Sequence, residues 1–105
     1  MTFAPEKARA ALPRFDLNVR APLRGVLQDY AVHYGLDRLV QATVATHFLG
    51  KLEAFGYDIA MQVFLPKGKA KGTLLVLHGY FDHVGLFTHL IQRGLERGYA
   101  VVAYD

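Results

Sequence analysis

The sequence predicts an α/β protein in which an antiparallel β-hairpin is followed by a strand–helix–strand unit of a mostly parallel sheet. Two extended stretches flank Phe55-Gly56, and a two-residue gap that contains glycine is typical of a hairpin. Two short runs rich in valine and leucine, LLVLH and YAVVAYD, are typical of parallel strands that are covered on both faces. These patterns divide the chain into an arm (1–21), a helical lead-in (22–45) and a sheet-forming region (46–105).

Composition limits the classes of protein that the chain can represent. It has 105 residues, 52% of them hydrophobic, but no apolar run approaches the length of a membrane span. The start, MTFAPEKARA, lacks the apolar centre of an export signal, so a soluble, cytoplasmic protein is expected. The formal charge of +3 is distributed along the chain, which argues against nucleic acid as the main partner. Without cysteine, disulfides and thiolate chemistry are excluded.

An amphipathic helix is predicted to begin at Pro22 and to end at Gly35. Its apolar residues recur at helical spacing, and proline is favoured at the first helical position. Packing of this stripe on a sheet is expected; the alternative, a membrane-surface helix, would require more lysine and arginine on its polar face. A shorter helix is predicted at 37–43.

The hairpin strands are predicted at 46–54 and 57–65. Pro66 ends the second strand, and the loop PKGKAKG (66–72) follows. A phosphate-binding loop would have to open a helix and carry a different glycine and lysine spacing, so a solvated turn is the preferred interpretation.

An amphipathic helix is also predicted between the two short strands, ending at Arg97-Gly98. Its apolar stripe is formed by Leu86, Phe87, Leu90, Ile91 and Leu95.

The stretch TLLVLHGYFDHVGLF (73–87) carries the candidate site. Ligands of open α/β sheets bind beyond the carboxyl ends of parallel strands, and the His-Gly turn lies at such an end. A glycine there allows close approach of the backbone, whose N–H groups can stabilise an oxyanion. A metal site built from His78, His83 and His89 with Asp82 is the less favoured alternative, because the spacing does not match the helical two-histidine motif. Asp82 is expected to cap the next helix, His89 to be solvated, and His33 and His47 to be at the surface or half-buried.

LLVLHGYFDHVGLF and the later GYAVVAYD resemble the third strand, oxyanion loop, first helix and fourth strand of the α/β-hydrolase fold. The resemblance is to the branch of monoglyceride lipases and lysophospholipases, also called serine aminopeptidase-like, and covers about 46–105. It implies that the backbone N–H of Tyr80 is an oxyanion-hole donor, that His78 and Gly79 shape the loop, and that Phe81 lies at the substrate pocket. It also implies hydrolysis of a small-molecule or lipid ester through an acyl-enzyme, without cofactor or metal.

No serine occurs in the chain, so this mechanism lacks its nucleophile within 1–105. The acid, the base and the G-x-S-x-G elbow are also missing. Because the sequence stops at Asp105, at the end of a predicted buried strand, we expect the first half of a hydrolase domain, truncated after its fourth strand and partnered by the remainder of that domain. Such a piece is expected to be inactive alone. The alternative is a non-catalytic α/β domain that binds a ligand or a partner.

Overall fold

The computed structural model describes residues 7, 10–16, 23–77 and 87–104. Within these ranges, helices α1 (Val26–His33) and α2 (Leu36–Thr43) precede strands β1 (Thr46–Ala54), β2 (Tyr57–Leu65) and β3 (Thr73–Val76). Helix α3 (Thr88–Glu96) and strand β4 (Ala100–Tyr104) complete the order. The four strands form one mixed sheet, so the predicted α/β class is confirmed.

The sheet joins a hairpin to a parallel strand pair. Its strand order is β1-β2-β4-β3; β1 and β2 pair antiparallel, β2 and β4 pair antiparallel, and β3 and β4 pair parallel. The hairpin strands begin and end at the predicted residues, and their register runs from Thr46 opposite Leu65 to Ala54 opposite Tyr57. Strand β4 therefore lies between a parallel and an antiparallel neighbour.

The core lies between one face of this sheet and the three helices. Alternate strand residues point toward the helices, among them Phe64 on β2 and Val101 on β4, and both side chains are fully buried. They pack with Leu36 of α2 and with Ile91 and Leu95 of α3. The apolar stripes of the helices thus supply the second layer that a sheet needs.

The opposite face of the sheet is covered in part by an amino-terminal strap, residues 12–16. The backbone of the strap pairs with the outer edge of β1: the Lys51 N–H donates to the Pro13 carbonyl, and the Phe15 N–H donates to the Lys51 carbonyl, both at 2.8 Å. The Phe15 ring stacks on Phe48 with centroids 6.0 Å apart. A β-carbon on Gly50 would lie 2.6 Å from the Phe15 α-carbon, so only glycine permits this approach. Part of the predicted arm is therefore docked on the sheet.

The first helix begins later than predicted. Leu23 and Arg24 are not helical, and Gly25 has φ 58° and ψ −131°, a conformation that no α-helix contains. Helix α1 starts at Val26, and Pro22 itself lies outside the described residues. The boundary of the helix is therefore set by Gly25, which follows Pro22 in the sequence.

Several apolar residues of the predicted α3 stripe and of the short strand runs are exposed in the described part of the chain. Leu90, predicted for the apolar stripe of α3, is 46% exposed, and Leu75 on β3 is 55% exposed. Strand β3 is an edge strand of the sheet. The described residues do not cover its face on the Leu75 side. The described residues thus cover β3 on the Val76 side and leave the Leu75 side exposed.

Candidate functional site

The predicted oxyanion loop lies outside the described residues. His78, Gly79, Tyr80 and Phe81 all fall in the segment 78–86, as do Asp82 and His83. Their predicted roles therefore stay predictions. The residues on either side of the segment, Leu77 and Phe87, are described and define the frame that carries it.

This frame is the carboxyl edge of the parallel strand pair. Val76 pairs with Ala103 of β4. It is followed by Leu77, the last described residue before the segment. After the segment, Phe87 occupies the N-cap of α3 without a side-chain hydrogen bond. Helix α3 is fixed to the sheet through the fully buried Ile91. Val76 before the segment and Phe87 after it thus both pack in the core.

The structure also contains a buried polar chain that the sequence patterns did not indicate. The Nε2 atom of His47 on β1 lies 2.8 Å from Oε1 of Gln62 on β2. The Nε2 of Gln62 donates to the hydroxyl of Tyr30 on α1 at 2.7 Å. Because the Gln62 amide uses its N–H group toward Tyr30, its oxygen faces His47, which donates from Nε2 as a neutral ring. These two hydrogen bonds connect helix α1 to both strands of the hairpin.

The surroundings of His47 oppose a charge on its ring. The side chain is buried, and its ring stacks on Phe64 with centroids 4.1 Å apart. Desolvation lowers the pKa of His47 from 6.5 to about 4, while the hydrogen bond with Gln62 acts in the opposite direction. The expectation that His47 is at the surface or half-buried is wrong, because the side chain is buried. The hairpin register could have revealed this, since it places His47 opposite Phe64 on the core face.

The other histidines follow their predictions where they are described. His33 and His89 are both exposed, and His33 packs edge-on against Tyr34 at a centroid distance of 4.7 Å. Among the described residues, there is no group of three or more metal-binding side chains. The metal alternative used His78 and His83, which lie outside these residues, so the structure leaves it untested.

The fold concentrates positive charge at the amino edge of β3 and β4. The Lys71 N–H donates to the Gly98 carbonyl at 2.9 Å, which brings the loop 66–72 against the end of α3. The two segments 66–72 and 93–99 contain five exposed cationic side chains and one exposed carboxylate. Together these charges are enough to account for the whole net positive charge of the chain. The cations are Lys67, Lys69, Lys71, Arg93 and Arg97, and the carboxylate is Glu96. The charges look dispersed in the sequence because the two segments are far apart along the chain. The fold brings the segments together, so the expectation of a dispersed charge is wrong at this edge.

Comparison of the chain with family models, with curated proteins and with solved structures gave no match. None of the helices in the described ranges has the length and apolar character needed to cross a bilayer.

Proposed function

We propose that the chain is the N-terminal portion of a serine hydrolase that cleaves carboxylic esters of the lysophospholipid or monoacylglycerol type. The observation that carries the proposal is the mixed sheet, in which the parallel pair β3 and β4 is joined antiparallel to the β1–β2 hairpin. In the sequence, His78 and Gly79 directly follow Leu77, after the end of β3. This arrangement is the one that the resemblance to the α/β-hydrolase fold implies for 46–105.

In the proposed reaction, the chain supplies one hydrogen-bond donor of the oxyanion hole. A serine hydroxyl from beyond residue 105 attacks the ester carbonyl, and a histidine from the same region accepts the serine proton. The Tyr80 backbone N–H then stabilises the oxyanion, while His78 and Gly79 shape the loop and Phe81 contacts the acyl chain. Collapse of the tetrahedral intermediate expels the alcohol, which takes the proton from histidine, and water releases the acid from the acyl-enzyme. Because the chain has no serine, it is inactive alone.

A fluorophosphonate probe tests the reaction class in the full-length protein. The probe is expected to label one serine located beyond residue 105, with loss of esterase activity in proportion to labelling. Folded protein that is not labelled, and that lacks a G-x-S-x-G sequence after a later strand, would instead support the non-catalytic ligand-binding domain.

The donor role of Tyr80 can be tested by a pair of substitutions. Tyr80→Pro removes the backbone N–H and is expected to lower kcat by a factor of about 10² to 10³. Tyr80→Phe keeps the N–H and is expected to retain nearly full kcat. Equal losses in both variants would assign the effect to the side chain and contradict the proposed role. In the same assay, Phe81→Ala is expected to raise KM more for long acyl chains than for acetate esters.

A further inference from the structure

The tip of the β1–β2 hairpin presents an apolar surface. We call this surface the apolar tip and define it by Leu52, Phe55 and Tyr57, which are 42%, 99% and 73% exposed. Phe55 and Gly56 form the two-residue turn, and Leu52 and Tyr57 belong to the adjoining strand ends. Single exposed apolar residues are common on proteins, but a nearly completely exposed phenylalanine beside two further large side chains is not.

The backbone makes the presence of Phe55 still less expected. Phe55 has φ 53° and Gly56 has φ 79°, so both turn residues adopt the left-handed region. Asparagine, aspartate and glycine are favoured there, whereas a bulky side chain is strained. The ring does not offset this strain by burial, since it is 99% exposed. Because burial does not offset the backbone strain at Phe55, the strain indicates that its side chain contacts something other than this fold.

The apolar tip lies at the carboxyl edge of the parallel strands β3 and β4. Strand β4 ends at Tyr104, which pairs with Met61, and the hairpin continues for four further residue pairs. At roughly 3.3 Å per residue, the turn extends about 13 Å beyond that pair. The strap pairs with Lys51 at the base of this extension and supports it. The turn therefore projects from the carboxyl edge, at which β3 also ends.

We propose that the apolar tip inserts into the surface of zwitterionic lipid assemblies and so brings the carboxyl edge to a lipid ester. This inference rests on the proposed function for its substrate class. A projecting two-residue turn suits a lipid surface, which yields around a ring, and aromatic side chains are favoured at the headgroup level. Glu53 and Asp58 pair directly opposite one another beside the turn, and both are exposed. The carboxylate of Glu53 would be repelled by anionic lipids, which is why zwitterionic lipids are the expected partner.

The test is flotation of the full-length protein with phosphatidylcholine vesicles, using two substitutions at strained residues. Phe55→Asn is expected to reduce vesicle binding by about tenfold or more, because the transfer of one phenylalanine ring is lost. The same substitution is expected to raise the midpoint of thermal unfolding, because asparagine suits the turn.

Val44→Asn is the matched control. Val44 is the other non-glycine residue with positive φ in the described ranges, at 54°, and it is 66% exposed near the opposite edge of the sheet. This variant should also unfold at a higher temperature, yet bind vesicles like the native protein.

Three results would overturn the proposal. One is unchanged vesicle binding by Phe55→Asn. Another is binding only to anionic vesicles with strong salt dependence, which would point to the cations at the amino edge. The third is a dimer that Phe55→Asn dissociates while no lipid binds. Flotation requires no turnover, so a negative fluorophosphonate result would refute the hydrolase without affecting tip binding.

Discussion

Acidification is expected to destabilise the fold through His47, whose ring is buried between Phe64 and the hydrogen-bonded Gln62. The pKa of this ring is about 4 in the folded chain and about 6.5 when it is exposed by unfolding. As the pH falls below 6.5, the unfolded chain binds a proton that the folded chain does not yet bind. The free energy of unfolding therefore falls with decreasing pH, from near pH 6.5 down to about pH 4, and this contribution is constant below that value.

The size of the effect follows from the difference between the two pKa values. Each pKa unit corresponds to about 1.4 kcal/mol, so the complete effect is about 3 kcal/mol. Between pH 7 and pH 4.5 the loss should be about 2 to 3 kcal/mol. For a domain of ordinary stability this is a substantial fraction of the total.

Urea unfolding at several pH values, compared between variants of the full-length protein, measures this contribution. His47→Gln keeps a donor for Gln62 but does not titrate, so its stability should depend less on pH than that of the native protein. The exposed His89 supplies the control, and His89→Gln should keep the native pH dependence. If the native protein and His47→Gln lose the same free energy between pH 7 and pH 4.5, the pKa assigned to His47 is refuted.

Two further predictions concern packing, and urea unfolding tests both. Gly50→Ala should displace the strap, because its new β-carbon would lie 2.6 Å from the Phe15 α-carbon. The loss of two backbone hydrogen bonds and one ring contact should lower the free energy of unfolding by about 2 to 3 kcal/mol. Lys51→Ala, which keeps the backbone contacts, should cost less than about 1 kcal/mol, and equal losses would contradict this account. Ile91→Ala should cost about 2 to 5 kcal/mol, whereas Leu90→Ala on the exposed side of α3 should cost much less; a reversed order would show that α3 packs differently.

The hairpin could be predicted fully because its signals are local. Phe55-Gly56 marked the turn, and a two-residue turn sets the register of all nine pairs. The start of α1 was predicted less well, since Pro22 and Gly25 give competing signals and periodicity does not choose between them.

The contacts that depend on tertiary packing could not be read from the sequence. Periodicity indicates which face of a helix is apolar, but not that Tyr30 would meet Gln62 across the helix–sheet interface. The same limit applies to charge: Lys71 and Arg97 are far apart along the chain, and the turn at Gly98 brings their segments together. For the oxyanion loop, the sequence remains the basis of the proposed roles of His78, Gly79, Tyr80 and Phe81.

The strap has a consequence for the order in which the protein folds. Phe15 contacts Phe48 on one face of the hairpin, while Tyr30 reaches Gln62 on the other, so the chain packs on both faces of the hairpin. The strap can pair with Lys51 only once the hairpin has formed, and this contact closes a loop from Phe15 to Lys51, far longer than the two-residue turn. We therefore expect the hairpin to form early and the strap to close late, with the Phe15 amide exchanging its hydrogen before the amides in the centre of β2.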